Sequence, residues 1–556
     1  MALIDPGAGV YTPLRYPIFR RIWLASLLSN FGLLIQGVGA AWAMTELTRA
    51  ADMVALVQTA SMLPLMLVSV AAGAIADMYD RRLIGLVALS IALVGATALT
   101  AITWAELVTP HLLLIFCFVI GSGMALFAPS WQASVSEQVP ADTLPAAIAL
   151  NSISYNIARS FGPAIGGILV AVAGAIAAFA ANALLYIPLL IVLFLWQRRH
   201  EPPRLPPERI HRAIVSGFRY IANSPPIRIV LARTLVMGLL GGSVSALLPL
   251  VVREQLHGGA MIYGIMLGAF GMGAVAGALS VAGVRKRFAS ETAIRACTLM
   301  LGVVIAIVGL SHSAVLTALA LFVAGAAWML VVALFNIGVQ LSAPRWVAGR
   351  SLAAFQAAIA GGIAFGSWGW GALAQDRGVA IALLVSGISM LLSPLIGLKL
   401  RMPRIGGISE DAEPLADPEV RLGLTARSGP IVVEIEYQVD PTKARLFYGV
   451  MQKIRLTRQR NGGYGWSIAR DIADPWAWTE RYHCPTWLDY LRMRSRSTQA
   501  ERDLQDRAST YHEGEQPIRI RRMLERPLGS VRWQEAAPDT GLGEVLPLPA
   551  TPVTGA

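Results

Sequence analysis

Along the first 399 residues, apolar runs near or above the roughly 20 residues that a bilayer-crossing helix needs recur between short polar interruptions. They fall at 20–46, 54–77, 83–104, 111–134, 144–172, 176–197, 229–252, 260–283, 291–311, 315–341, 351–374 and 379–399. The pattern predicts an all-α membrane portion of twelve transmembrane helices. The first run follows a segment with Pro and Gly but no cleavable signal pattern, and it reads as a retained helix.

Beyond residue 399 the period changes. Residues 400–428 are polar with Pro and Gly, which predicts a linker. IVVEIEYQV then alternates like a strand, and TKARLFYGVMQKIRLTRQR has helical spacing. GYGWSIARDI and AWTERYHC read as two strands, PTWLDYLRMRSRSTQAERDLQDRASTYHEG as one helix, and PIRIRRML as a last strand. The order βαββαβ predicts a small α+β domain over 429–533, ferredoxin-like and similar to small dimeric monooxygenase-type domains. Residues 534–556, rich in Pro and Gly, are predicted to be disordered.

Charge gives the membrane part a direction. One set of loops carries Arg15, Arg20, Arg21, Arg81, Arg82, Arg198, Arg199, Arg285, Lys286, Arg287 and Arg345, with more in the long central loop. The opposite loops offer Arg49, Arg253 and Arg377. The richer set is predicted to be cytoplasmic, with both termini inside. The central loop, 198–228, opens with EPPRLPPE and continues as IHRAIVSGFRYIANS, a short basic helix expected on the cytoplasmic surface. It separates an N-terminal six-helix half, 1–197, from a C-terminal one, 229–399.

Composition excludes a soluble enzyme. Only 14% of residues are charged, against about 25% in soluble domains. The net charge of +12 arises almost wholly before residue 400, where 24 basic residues face 13 acidic ones. That is the bias of membrane loops, and no nucleic-acid partner is predicted. Cys117, Cys297 and Cys484 lie far apart without a CxxC, so neither a disulfide framework nor a metal site is expected, and no cofactor.

Three matches at one offset of 204 residues suggest that the halves are parallel repeats. Gly73 and Arg81 align with Gly277 and Arg285, Val135 and Pro140 with Val339 and Pro344, and Gly162 and Gly167 with Gly366 and Gly371. Repeated halves with a midplane site between them form one major transporter architecture.

Two motifs carry a resemblance. The loop after span two reads GAIADMYDRR and resembles the Gly-x-x-x-Asp-x-x-Gly-Arg-Arg/Lys pattern of the major facilitator superfamily. Gly73, Asp77, Arg81 and Arg82 match it, and Asp80 stands where the general pattern has Gly. Asp77 at a helix end can pair with cations and a helix N-terminus, so the resemblance implies a latch between halves. Span five carries Gly162-Pro163-x-x-Gly166-Gly167, similar to the helix-five signature of proton-driven exporters, with Ala158 replacing the upstream Gly. Small residues permit close helix approach and Pro kinks the chain. The longer stretch PSWQASVSEQVPADTLPAAIALNSISYNIARSFGPAIGG and the tail segment TERYHCPTWLDYLRMRSRST resemble the bacterial transmembrane secretion effector group, related to the enterobactin exporter.

Arg159 is the one charge well inside a predicted span, and a charge there is by default a functional candidate. Asn30, Gln36, Gln132, Asn156, Asn336, Gln340 and Gln356 are further candidates for a substrate cavity, and each also suits interhelical hydrogen bonding. No Asp or Glu lies at midplane; Glu46, Asp52, Asp77, Glu137 and Asp142 near the span ends are the nearest acids for proton traffic. In the tail, His483, Cys484 and His512 show no metal spacing or catalytic set, which predicts a dimerisation or regulatory module.

The resemblance implies a transporter, not an enzyme, that exports a small organic molecule such as a siderophore by proton antiport with alternating access. Its partners are then the cargo, protons, the lipid bilayer, and a second copy through the tail. An importer of the same fold and a membrane-tethered sensor or enzyme acting through its tail remain alternatives at this stage.

Overall fold

The computed structural model describes residues 11–140, 143–196, 210–402 and 418–525. The Pro-rich start of the central loop, most of the predicted linker, Asp142 and the segment 534–556 lie outside them. The chain divides into two compact units. The first holds the membrane-type helices; the second holds Val215–Arg228, Gln340–Ala348 and the C-terminal domain. Two short segments, one on each side of the boundary at 229, thus group with the C-terminal domain.

In the first unit, α1 (Pro17–Leu47), α2 (Ala51–Met78), α3 (Arg81–Trp104), α4 (Pro110–Ser134) and α5 (Leu144–Leu195) precede the central helix α6 (Ile210–Ala222). Then come α7 (Pro225–Leu250), α8 (Ala260–Arg287), α9 (Ser290–Leu310), α10 (Ala314–Ser342), α11 (Arg345–Arg377), α12 (Val379–Leu392) and the short α13 (Ile396–Lys399). Among the described residues, 11 helices are long and apolar enough to cross a membrane, against the twelve spans expected. The difference lies in one place. The fifth and sixth expected spans both fall within α5, whose backbone breaks at Gly174 with φ 74° and ψ 174°. Only glycine occupies that region without strain, so the break sits where the side chain is missing. Helix starts follow local chemistry: Asp80 caps α3 by accepting from the Arg82 amide at 2.9 Å, and Thr109 caps α4.

The second unit contains a four-stranded antiparallel sheet, β1 (Ile431–Gln438), β2 (Tyr464–Arg470), β3 (Ala477–Cys484) and β4 (Arg519–Leu524), in the order β2-β3-β1-β4. Its odd-numbered β1 side chains, Ile431 to Tyr437, pack on Phe447, Val450, Met451 and Ile454 of α14 (Ala444–Arg460). The single helix expected after β3 is two, α15 (Trp487–Ser495) and α16 (Gln499–Ser509). Thr498 and Glu501 form a reciprocal capping box there, which satisfies the new helix start and stops the first helix from running on.

Candidate functional site

The helix-five motif marks a seam at which two helices meet almost backbone to backbone. A Cβ on Gly167 would stand 2.7 Å from the Ala260 carbonyl oxygen and 2.7 Å from the Gly264 Cα of α8. A Cβ on Gly264 would in turn stand 2.7 Å from the Pro163 carbonyl oxygen, and one on Gly271 2.5 Å from the Arg159 carbonyl oxygen. Gly162 and Gly166 turn the other way, toward Leu34 and Ile35 of α1, at 3.1 Å each. The motif thus spends its small residues on two neighbours: one within its own half, one in the other. Close approach of this kind is how helices associate where lipid removes the hydrophobic drive.

A related seam joins α2 and α11. A Cβ on Gly371 would lie 2.5 Å from the Ala55 Cβ, Thr59 Oγ1 donates to the Ala364 carbonyl at 2.9 Å, and the Ala51 amide donates to Gln375 Oε1 at 2.6 Å. The 204-residue offset relates the two seams. It carries Gly162 to Gly366 and Leu34 to 238, and Gly366 packs on neighbouring Leu239. It also carries Gly167, which meets the other half at α8, to Gly371, which meets the other half at α2.

Arg159, the intramembrane charge, sits at the first seam with its guanidinium carbon 5.8 Å from the Phe270 ring centroid, a cation–π contact to α8. The loop motif's arginines make the following bonds, among others. Arg81 Nη1 pairs with Glu137 Oε1 at 2.8 Å, and Arg82 donates to the Leu193 and Phe194 carbonyls at 2.9 and 2.5 Å, capping the end of α5. These contacts are all within the N-terminal half. The backbones of Gly73 and Asp77 belong to α2, and the placement of the Asp77 side chain lies outside the described residues.

The polar candidates are dispersed. Gln36 is buried and accepts from Asn182 Nδ2, which ties α1 to the second part of α5. Asn156 donates to the Ser152 carbonyl of its own helix at 2.8 Å. Gln132, Gln340 and Gln356 are exposed, Asn30 and Asn336 half-buried, and Gln340 falls in the second unit. The Trp side chains near span ends are anchored: Trp42 Nε1 donates to Glu46 at 2.9 Å, and Trp370 Nε1 to the Leu239 carbonyl at 2.7 Å.

Sequence reasoning missed one charged cluster. Arg233 of α7, buried, pairs with Glu291 of α9 at 2.6 Å and donates to the Leu400 carbonyl at 3.2 Å. Glu291 also takes Arg295 at 2.9 Å and the Met402 amide at 3.1 Å. The i,i+4 spacing of Glu291 and Arg295 was visible, but Arg233 could not be assigned to them from the chain alone. The stripe Gly264, Gly268, Gly271 on α8 was likewise legible as small residues, not as the partner of α5. Among the described residues no group of His, Cys, Asp and Glu could hold a metal ion.

Long apolar helices joined by such small-residue seams form a fold shared with solved membrane transporters. A bacterial homolog to the human lysosomal transporter Spinster has a TM-score of 0.55 at 14% identity, over 70% of this chain and 95% of its own. The chain belongs to the transmembrane secretion effector family, which it matches over residues 8–528. Its relatives include the staphyloferrin A transporter of Staphylococcus aureus, 26% identical over 47% of this chain and 66% of that protein. The enterobactin exporter EntS of Shigella flexneri is 28% identical over 48% of this chain and 62% of its own length. The chain thus spans somewhat under two thirds of these curated relatives. Family and relatives are transporters, not enzymes.

Proposed function

We propose that this protein exports a small siderophore-like molecule across the bacterial inner membrane by alternating access, in antiport with protons. The α5–α8 seam carries the reading: its glycines let two helices from different halves meet backbone to backbone, so that they can slide and separate with little side-chain interlock. The contacts of the α2–α11 seam lie toward the loops that carry few Lys and Arg, which suits a form closed on the outer side with both termini in the cytoplasm. Arg159 would receive an anionic part of the cargo, giving up its contact with Phe270. Asp77 would latch the halves, and Glu137, which pairs with Arg81, is among the acids nearest the path for proton traffic. Asn30, Gln36, Gln132, Asn156, Asn336, Gln340 and Gln356 remain the polar candidates along the path. The sheet order β2-β3-β1-β4 and the βαββαβ sequence of elements support a ferredoxin-like tail in the cytoplasm, suited to pairing with a second copy.

The test is transport in inside-out vesicles offered enterobactin and staphyloferrin A. Cargo uptake that collapses the proton gradient, and that is lost in Asp77→Asn, is the expected result. Uptake driven only from the opposite face would make the protein an importer. Arg159→Ala should weaken anionic cargo first, and equal affinity across charge classes would return Arg159 to packing.

A further inference from the structure

The second unit contains a closed ring of contacts that the transport reading leaves unused. It starts at Arg460, the last residue of α14, whose guanidinium carbon lies 5.8 Å from the Tyr220 ring centroid of α6. The Tyr220 ring meets Trp346 edge-on at 5.2 Å, and Trp346 lies in the first turn of α11. Arg496, next after α15, then stands 4.2 Å from the Trp346 ring centroid. The ring begins and ends on the C-terminal domain, so the central-loop helix and the α10–α11 turn are held between two arginines of one folded body.

The grip is pre-organised. Arg460 pairs with Glu501 at 2.7 Å and bonds Thr457 Oγ1 at 3.2 Å, and Glu501 is itself fixed by Asn461 and the Thr498 amide. Gly462, just beyond α14, has φ 110°, and a Cβ there would lie 2.9 Å from Arg219 Nη2. A side chain at 462 would be strained and would displace the Arg219 guanidinium of α6. On α6 the buried positions Ser216, Gly217 and Tyr220 form one face, while Val215 and Phe218 stay exposed. The helix expected on the cytoplasmic surface thus commits its aromatic ring to the tail.

We propose that the C-terminal domain is a built-in clasp on the α10–α11 turn and the central-loop helix, and that it restrains the transport cycle. The inference rests on the alternating-access reading: Gln340–Ala348 closes α10 and opens α11, so whatever grips this turn acts on helices the cycle must move. Guanidinium–aromatic contacts suit that task, being strong enough to hold when desolvated and weak enough to release.

The full chain in lipid nanodiscs, compared with Arg496→Ala, Arg460→Ala and the double variant, tests the clasp by amide hydrogen exchange. Exchange over 215–228 and 340–348 should rise by about tenfold in the double variant, as the loss of two half-buried cation–π contacts of about 0.5–1 kcal/mol each implies. Strand β1 should keep its wild-type protection, which shows that the domain still folds, and Arg496→Lys should restore protection in part. Unchanged exchange at the two segments overturns the clasp. In vesicles, turnover of the double variant should rise by about two- to tenfold; turnover equal to or below wild type overturns the restraint. Should the wild-type chain move neither cargo, the export reading fails while the exchange result still decides the clasp.

Discussion

The α5–α8 seam and the core of the C-terminal domain pack closely by opposite chemistry. At the seam, Gly167 and Gly264 bring carbonyls and Cα atoms together with nothing between them. In the domain core, Arg458 is buried against Glu480 at 3.1 Å, its guanidinium 4.8 Å from the Tyr482 ring, with Trp466 donating to the same carboxylate. Lipid is as apolar as Leu, so a helix pair in a membrane gains from contact and loses heavily from a charge. A water-exposed domain has the hydrophobic drive of Phe447, Met451 and Ile454 in reserve, and can host one fully bonded ion pair. The seam is therefore suited to repeated sliding, and the domain to holding one shape.

Four changes break or sharpen that contrast. Glu480→Ala has the largest expected effect, because it leaves Arg458 buried and unpaired at a cost of about 3–5 kcal/mol. Limited proteolysis of the full chain should then cut within 431–524, and wild-type resistance would mean that the pair contributes little. Gly167→Leu forces a side chain into a 2.7 Å gap, an overpacking cost of about 1–3 kcal/mol. It should insert normally yet stop vesicle transport, whereas full activity would remove the seam from the mechanism.

A pH test comes third. Burial pushes the Cys484 thiol up to about 12, so it is neutral at pH 8. Because an acid with a raised folded pKa favours the native state below its ordinary value, this contribution persists through neutral pH and fades as pH climbs toward 12. In a chain whose Cys117 and Cys297 are replaced by Ala, maleimide should label the folded protein far more slowly than the denatured one at pH 8. Equal rates would place Cys484 at the surface. Arg81→Gln should move stability least, since its pair with Glu137 is partly exposed and such pairs contribute about 0.2–1 kcal/mol. A thermal shift of many degrees would make this pair a structural strut.

Much of the fold was legible in the chain because its signals are local. Apolar run length marked the membrane-type helices, and alternation at 431–439 marked β1. The break at Gly174 was legible too, as a gap between two runs, and the backbone passes from one helical run to the next there through a single non-helical residue. The break before Thr498 was not, since RSRSTQAERD reads as continuous helix until the capping box is seen to close.

The amino-acid sequence by itself determined which stretches are helical, which residues are small enough for a seam, and where positive charge collects, because chain length, side-chain size and charge are properties of single residues. Only the tertiary structure decided which neighbour each face meets. Gly162 turns to Leu34 while Gly167 turns to Gly264; Arg233 finds Glu291 across 58 positions; Tyr220 leaves its own loop for Trp346 and Arg460. Those choices depend on how helices rotate and cross, and that is set by the summed packing of many side chains at once.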